Sequence, residues 1–280
     1  MRNIITGKQF DEERALYNAT GADIVNCTFA GEADGESVLK EARDIKVIDS
    51  TFSLRYPLWH VRGFELDNTS MDELTRAAIW YSYDGEIRKC KLAGIKAVRE
   101  CARINISDCV INSPEFGWKS EGISLTDSDI TSEYLFLDSK NVTLKNVHMS
   151  GKYSFQYMEN LTIENSVLDT KDAFWHSKNV VVKDSVVKGE YLAWFSEGLT
   201  LINCKIIGTQ PLCYCKNLKL VNCTMEEADL SFEYSEVDAD IIGNIISVKN
   251  IKSGKVVVDS VGEIINEDAV MECVGEVIIR

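Results

Sequence analysis

Seven short stretches of the chain repeat one alternation of apolar and polar positions, each starting nineteen residues after the last. They begin at Arg103 (RINISDC), Gly122 (GISLTDS), Asn141 (NVTLKNV), Asn160 (NLTIENS), Asn179 (NVVVKDS), Gly198 (GLTLINC) and Asn217 (NLKLVNC). Looser copies begin at Gly21, Asp44, Gly63 and Asp84, so eleven units run from about Gly21 to Ser235. Counting from the first residue of each unit, positions two and four are apolar: Ile104 and Ile106, Leu161 and Ile163, Val180 and Val182, Leu218 and Leu220. Their neighbours are mostly polar, the period of two expected of a strand with one buried face. Position six is mostly Asn or Asp, residues that suit a corner and can form side-chain ladders when identical positions stack. Position nine returns to apolar, as at Phe52, Leu168 and Ile206. Each unit therefore predicts two short strands around a bend, followed by a third segment.

Nineteen residues are too few for a helix-containing repeat, yet enough for one turn of a coil built of short strands. Stacking such turns in register sets each strand about 4.8 Å from its copies above and below. The expectation is an all-β, right-handed parallel β-helix, a solenoid of about eleven coils and roughly 50 Å. The whole chain, 1–280, reads as a single domain. Residues 1–20 form an N-terminal cap with a short helix over Asp11–Asn18, 21–235 the coils, and 236–280 a C-terminal strand cap. An uncapped stack would expose strand edges and core.

The coil length, Asn/Asp corner and apolar ladders resemble the right-handed parallel β-helices of the pectin-lyase-like superfamily. The stretches YPLWH (Tyr56–His60), SPEFGWK (Ser113–Lys119), DAFWHSKN (Asp172–Asn179) and GTQPLCYCKNL (Gly208–Leu218) more closely resemble a bacterial family of single-domain proteins of this length. That resemblance implies the fold and no particular activity. Neither the close aspartates and arginine of polygalacturonases nor the acidic calcium cluster of pectate lyases is present.

The third segment, positions thirteen to eighteen, holds the unusual residues. Strand alternation puts fourteen, sixteen and eighteen inside, so that Trp118, Trp175 and Trp194 line the core, and turns thirteen, fifteen and seventeen outward. Lys40, Arg99 and Gln156 also fall at position sixteen, and burying them would require partners. The outward columns then carry Glu115, Tyr134, Tyr153, Asp172 and Tyr191 at thirteen and Phe136, Phe155 and Phe174 at fifteen. Position seventeen carries His60, Tyr81, Glu100, Lys119, Asp138, Tyr157, His176, Phe195 and Tyr214. An exposed aromatic strip of this extent marks an interaction surface. Alternating charges at Lys96 and Glu115, and at Glu100, Lys119 and Asp138, are also what a structural charge ladder would look like, and the rings could be rung-to-rung stacks.

Composition narrows the function classes. No run approaches the eighteen apolar residues of a membrane span, and the opening MRNIITGKQFDEER is no secretory apolar region, so a cytoplasmic protein is expected. Nine cysteines in core-like places fit reduced thiols better than a disulfide framework. A net charge of −14 repels phosphate backbones and anionic membranes, which predicts no nucleic-acid or membrane partner. No metal ligand set and no cofactor motif is evident.

Two carboxylates suited to glycoside hydrolysis are not well spaced: Glu100 and Asp138 lie about 9.6 Å apart by turn spacing, with Lys119 between them. A lyase or epimerase acting on a uronate would instead need a base, an acid and a cation. In that arrangement His176 is the base, Tyr157 one turn away the acid and Lys119 the neutralising group, with Asp138 nearby. Glu115, Tyr153, Phe155, Asp172, Phe174, Tyr191 and Tyr214 would contact substrate. The sequence thus predicts either a carbohydrate-binding or carbohydrate-active protein with an oligosaccharide or polysaccharide partner, or a non-catalytic module using the same face for homo-oligomeric assembly.

Overall fold

Parallel pairing at the nineteen-residue offset runs through the computed structural model, which describes residues 2–31 and 35–280. Leu161 stands opposite Val180 and Ile163 opposite Val182, and Val180 and Val182 in turn stand opposite Leu199 and Leu201. The chain divides into two compact units, Met1–Thr143 and Leu144–Arg280. In the first, Thr20–Val25, Arg43–Ile48, Arg62–Asp67, Tyr83–Arg88 and Ala102–Ser107 pair successively in parallel. In the second, Glu159–Glu164, Lys178–Lys183, Glu197–Ile202 and Leu218–Glu226 do the same. Positions two, four and nine point inward as predicted; Leu161, Ile163, Leu168, Val180 and Val182 are all fully buried.

The fold is an all-β parallel solenoid of about 14 turns, more than the eleven read from the repeat. The difference lies at the ends, where pairing persists after the period is lost. Asn3–Thr6 pairs with Thr20–Val25. Glu236–Lys249, Ser253–Ile265 and Glu276–Ile279 continue the parallel order beyond Ser235. The expected helix at Asp11–Asn18 is not formed, and no helix occurs among the described residues. The amides of Arg14, Leu16 and Asn18 donate instead to the carbonyls of Glu36, Val38 and Lys40. Partners in the next turn outcompete a helix too short to be stable alone.

Two corners of each turn share one device. The residue at position six is left-handed in all eleven units, from Asn26 (φ 51°) to Asn222 (φ 53°), and the next side chain is buried. Most of those buried residues are Ser, Cys or Thr. Their polar atoms accept the buried amide of the preceding turn, as Ser166 Oγ does from Val147 N (3.1 Å) and Ser185 Oγ from Ser166 N (3.0 Å). The same hydroxyls donate back to the carbonyl two residues earlier. Asn and Asp tolerate the left-handed corner and add a ladder outside it: Asn222 donates to Asn203 at 2.8 Å and Asn203 to Asp184 at 2.9 Å. Position seventeen, again left-handed, and the buried residue after it repeat this arrangement.

The third segment is not a regular strand in the second unit, which corrects the predicted facing. Tyr153, Phe155 and Tyr157 all have positive φ (59°, 60°, 57°), as do Asp172, Phe174 and His176 (52°, 62°, 56°). This breaks strand alternation. In these turns and the next, positions fourteen, fifteen and eighteen point in and sixteen and seventeen point out; one turn further on, Cys213 at position sixteen is buried. Phe155 and Phe174 are therefore core residues, stacked at 5.2 Å, and are not on the surface as expected. Trp175 and Trp194 lie half-buried on the outside rather than in the core, as does Trp118 in the first unit. Their indole N–H groups donate to the carbonyl at position thirteen of the next turn: Trp175 to Tyr191 (2.6 Å), Trp194 to Gln210 (2.8 Å) and Trp118 to Tyr134 (2.9 Å). Gln156 does the same to Asp172 at 2.9 Å, which explains why a polar side chain shares this position with tryptophan.

Phe174→Ala should lower the unfolding free energy by about 3–5 kcal/mol, as for a large core truncation, whereas Tyr157→Ala should cost far less. Urea denaturation of both variants checks this, and equal losses would refute the corrected facing.

Candidate functional site

Outward position seventeen of the second unit builds a continuous column of rings. Tyr157 stacks on His176 at 5.1 Å with 10° between planes, His176 on Phe195 at 5.1 Å and 8°, and Phe195 on Tyr214 at 4.8 Å and 14°. Tyr234 extends the column, tilted 36° at 5.7 Å. Tyr157 and Phe195 are 53% and 45% exposed, unusual for large rings, and His176 is exposed too. Each ring is fixed from its backbone. The amides of Tyr157, His176, Phe195 and Tyr214 donate to the carbonyls of Trp175, Trp194, Cys213 and Glu233.

The backbone at this position makes the choice of residue informative. All five are left-handed, with φ between 54° and 62°. That conformation costs an ordinary L-residue about 1–2 kcal/mol and is least costly for Gly, Asn or Asp. In the first unit the equivalent column includes Glu41, Glu100, Lys119 and Asp138. Rings occur there in the first unit only at His60 and Tyr81, tilted 57° at 5.4 Å, whereas the second unit places a ring at each of five successive turns, with Tyr157, His176 and Phe195 exposed and Tyr214 and Tyr234 half-buried. Ring stacking offsets part of the cost at about 0.5–1.5 kcal/mol per pair.

A second column supports the first. Trp175 and Trp194 stack at 5.5 Å and 3°, and Trp194 meets Tyr191, Phe195 and Tyr214 edge-on. Ring faces inside both columns are thus taken by their neighbours, which leaves the edges: the phenol groups of Tyr157 and Tyr214, the imidazole of His176 and the C–H rim of Phe195, while the Tyr234 hydroxyl accepts from Val270 N at 3.2 Å. Burial, with the nearby Glu233 carboxylate, pushes the Tyr214 phenol up, so it remains a hydrogen-bond donor at neutral pH.

The residues singled out from the sequence fall into three groups. Tyr157, His176 and Tyr214 belong to the ring column, and Tyr191 to its flank. Phe155 and Phe174 belong to the core, while Tyr153 is half-buried at position thirteen. Glu115, Lys119 and Asp138 lie in the first unit. There Glu115 is paired with Lys96 at 2.9 Å, as expected of a charge ladder. Glu100 pairs instead with Arg99 of its own turn at 2.9 Å. Tyr234 was missed because one extra residue in its turn places Glu233 at the nineteen-residue step from Tyr214. The run SFEYS (Ser231–Ser235) carried the signal, since its final serine fills the corner and accepts from Cys215 N.

Asp172 differs from the rest. It is 8% exposed, and burial raises its carboxyl above the ordinary carboxylate range, opposed by Lys171 and reinforced by Glu190. It sits four residues before His176 in the same turn. Cys101 and Cys215 offer no comparable chemistry: burial pushes them up to about 12 and about 11, leaving both protonated as small core side chains, whereas the hydrogen bond from Cys204 pulls Cys223 down to about 7. Among the described residues no group of three or more His, Cys, Asp or Glu side chains is placed to hold a metal ion. A cleft of about 320 Å³ near the C-terminus, lined by Val248, Ile251, Ile264 and Ile278 among others, includes no member of the ring column.

Fold and site together define a parallel β-solenoid protein with an exposed aromatic ladder on its third face. The chain belongs to the family described as "Protein of unknown function (DUF3737)", which matches residues 3–279. No curated protein sequence matches it. Among solved structures, a double mutant of the tailspike protein of E. coli bacteriophage HK620 is similar over 99% of this chain and 72% of its own, at 8% identity and a TM-score of 0.49. A mannuronic acid specific polysaccharide family 6 lyase from human gut microbiota is similar over 94% and 77%, at 7% identity and 0.38. The mannuronan C-5 epimerase A-module of Azotobacter vinelandii is similar over 100% and 89%, at 12% identity and 0.34.

Asp172→Asn should raise the melting temperature at pH 7, because it removes a carboxylate whose charged form burial disfavours. A raised folded-state pKa means that stability is lost as pH climbs from the ordinary 3.8 through the raised value. The advantage of the variant should therefore shrink as pH falls toward 4. Thermal melts at both pH values check the sign, and a variant less stable at pH 7 would contradict it.

Proposed function

We propose that the aromatic ladder of the second unit is a binding strip for an extended carbohydrate chain. The observation that carries this reading is the unbroken run of Tyr157, His176, Phe195, Tyr214 and Tyr234 at a strained backbone position, one ring per turn, the first three open to solvent and the last two half-buried. Five rigid rings present a long, narrow surface whose shape suits a linear ligand, and little side-chain entropy remains to be lost on binding. The ring faces are engaged with one another, so recognition runs through edges. Phenol and imidazole groups meet sugar hydroxyls, and the Phe195 rim meets sugar C–H groups.

A carbohydrate-active role is the second reading, and Asp172 favours it. A shielded carboxyl with a raised pKa, in the same turn as His176, has the character of a general acid. The base-and-acid arrangement of His176 with Tyr157 has the required adjacency, since their rings lie 5.1 Å apart, though face to face. Lys119 and Asp138, the other residues of that arrangement, belong to the first unit.

A glycan and oligosaccharide binding screen, uronate-containing chains included, tests the first reading. Saturable binding is expected, weakened about tenfold (about 1.4 kcal/mol) by His176→Ala or Tyr157→Ala. Absence of binding across the screen, with a dimeric mass in solution that Phe195→Glu converts to monomer, would replace it with assembly through the strip. Turnover of any bound glycan that Asp172→Asn abolishes would establish the second reading.

A further inference from the structure

We propose that a corner of the first unit, formed by Glu41, Arg43, His60, Arg62, Tyr81 and Tyr83, is a binding site for a small oxyanion: the carboxylate or phosphate group of a small molecule. These six side chains line a cleft of about 200 Å³. They come in pairs from three successive turns, each pair flanking one inward residue, namely Ala42, Val61 and Ser82, all fully buried. Because the middle residue points in, its neighbours splay to either side and leave a trough between them.

The charge pattern of the trough points to its ligand. Arg43 and Arg62 stand directly opposite one another in parallel register, and like charges so placed repel. Neither forms an ion pair with a carboxylate among the described residues, and the charge of Arg62 reaches Asp84 only as a minor contribution beside Arg103 in holding that carboxyl down. The acids beside them are committed elsewhere: Asp44 accepts from Arg2 at 2.7 Å, and Asp84 accepts from Arg103 through both oxygens, at 2.6 and 3.2 Å. The Arg62 guanidinium lies over the Tyr83 ring, 5.4 Å from its centre, a contact that holds the head group and uses none of its N–H donors. Glu41 is engaged by His60 Nδ1 at 2.9 Å, so the one carboxylate of the cleft has a partner of its own.

Two planar forks with open donors, one turn apart, match the oxygens of a carboxylate or phosphate and can bind bidentately. In a chain of net charge −14, two adjacent arginines without an ion pair to a carboxylate among the described residues make a local positive patch. Physiological salt screens the acidic surface beyond about 8 Å, leaving the local field of the two arginines in control of the cleft.

Calorimetric titration of the full chain with sodium phosphate and, separately, sodium glucuronate at constant ionic strength tests the site. Saturable binding of at least one probe is expected, weakened about tenfold by Arg43→Gln or Arg62→Gln and lost in the double variant. Lys219→Gln, outside the cleft, should bind as the parent does. Binding of phosphate alone assigns a phosphate ligand, and binding of glucuronate alone a carboxylate. Circular dichroism checks that each variant keeps its fold, which substitution of exposed arginines should leave intact. No saturable binding of either probe at millimolar concentration, or undiminished binding by a folded double variant, would overturn the proposal.

Discussion

The structure depends on how each turn changes direction without leaving a buried amide unpaired. A left-handed residue makes the corner, and the small polar side chain that follows turns inward and supplies the missing hydrogen bond. At position six the left-handed residue is Asn or Asp in most turns, and the inward residue is Ser, Cys or Thr. An unpaired buried amide would cost about 1–3 kcal/mol, and it would recur in turn after turn. Cysteine at Cys109, Cys204 and Cys223 is explained by the same requirement, since its sulfur fills a small buried place and donates to a backbone carbonyl.

That corner also makes the surface ladders possible. Once successive turns share the same left-handed residue, side chains at that position project in parallel at the spacing of the strands, close to ideal for stacked rings. In the second unit the outward column is Tyr157 to Tyr234. In the first, the same position and the residue two further on create a trough where Arg43 and Arg62 meet. One backbone device thus yields either an aromatic strip or a cationic cleft, according to the residues placed on it.

The third segment shows where strand logic stops. Alternation of sides holds only while successive residues stay extended, and Phe155 and Phe174 break it by turning left-handed themselves. Their rings enter the core and the tryptophans leave it. Lys40, Arg99 and Gln156 at position sixteen were the local sign of this reversal, because charged and amide groups rarely occupy an unpaired core position. Lys40 and Arg99 instead lie against the faces of Trp59 and Trp80, at 4.0 and 5.1 Å from the ring centres.

The sequence by itself determined the repeat, the parallel pairing, the inward faces of the two strands and the Asn/Asp corners. Each of these follows from periodicity and from residue types with one strong conformational preference. It also placed Tyr157, His176 and Tyr214 in one column, because residues nineteen apart become neighbours once turns stack. Only the tertiary structure decided that Phe155 and Phe174 are core, that Trp175 and Trp194 brace the outside, that Tyr234 joins the ladder and that Arg43 and Arg62 form no ion pair with a carboxylate among the described residues. Those outcomes depend on φ at aromatic residues with no intrinsic preference for the left-handed region, and on which of several nearby acids each arginine reaches. Both are set by packing between turns, beyond the reach of any local pattern.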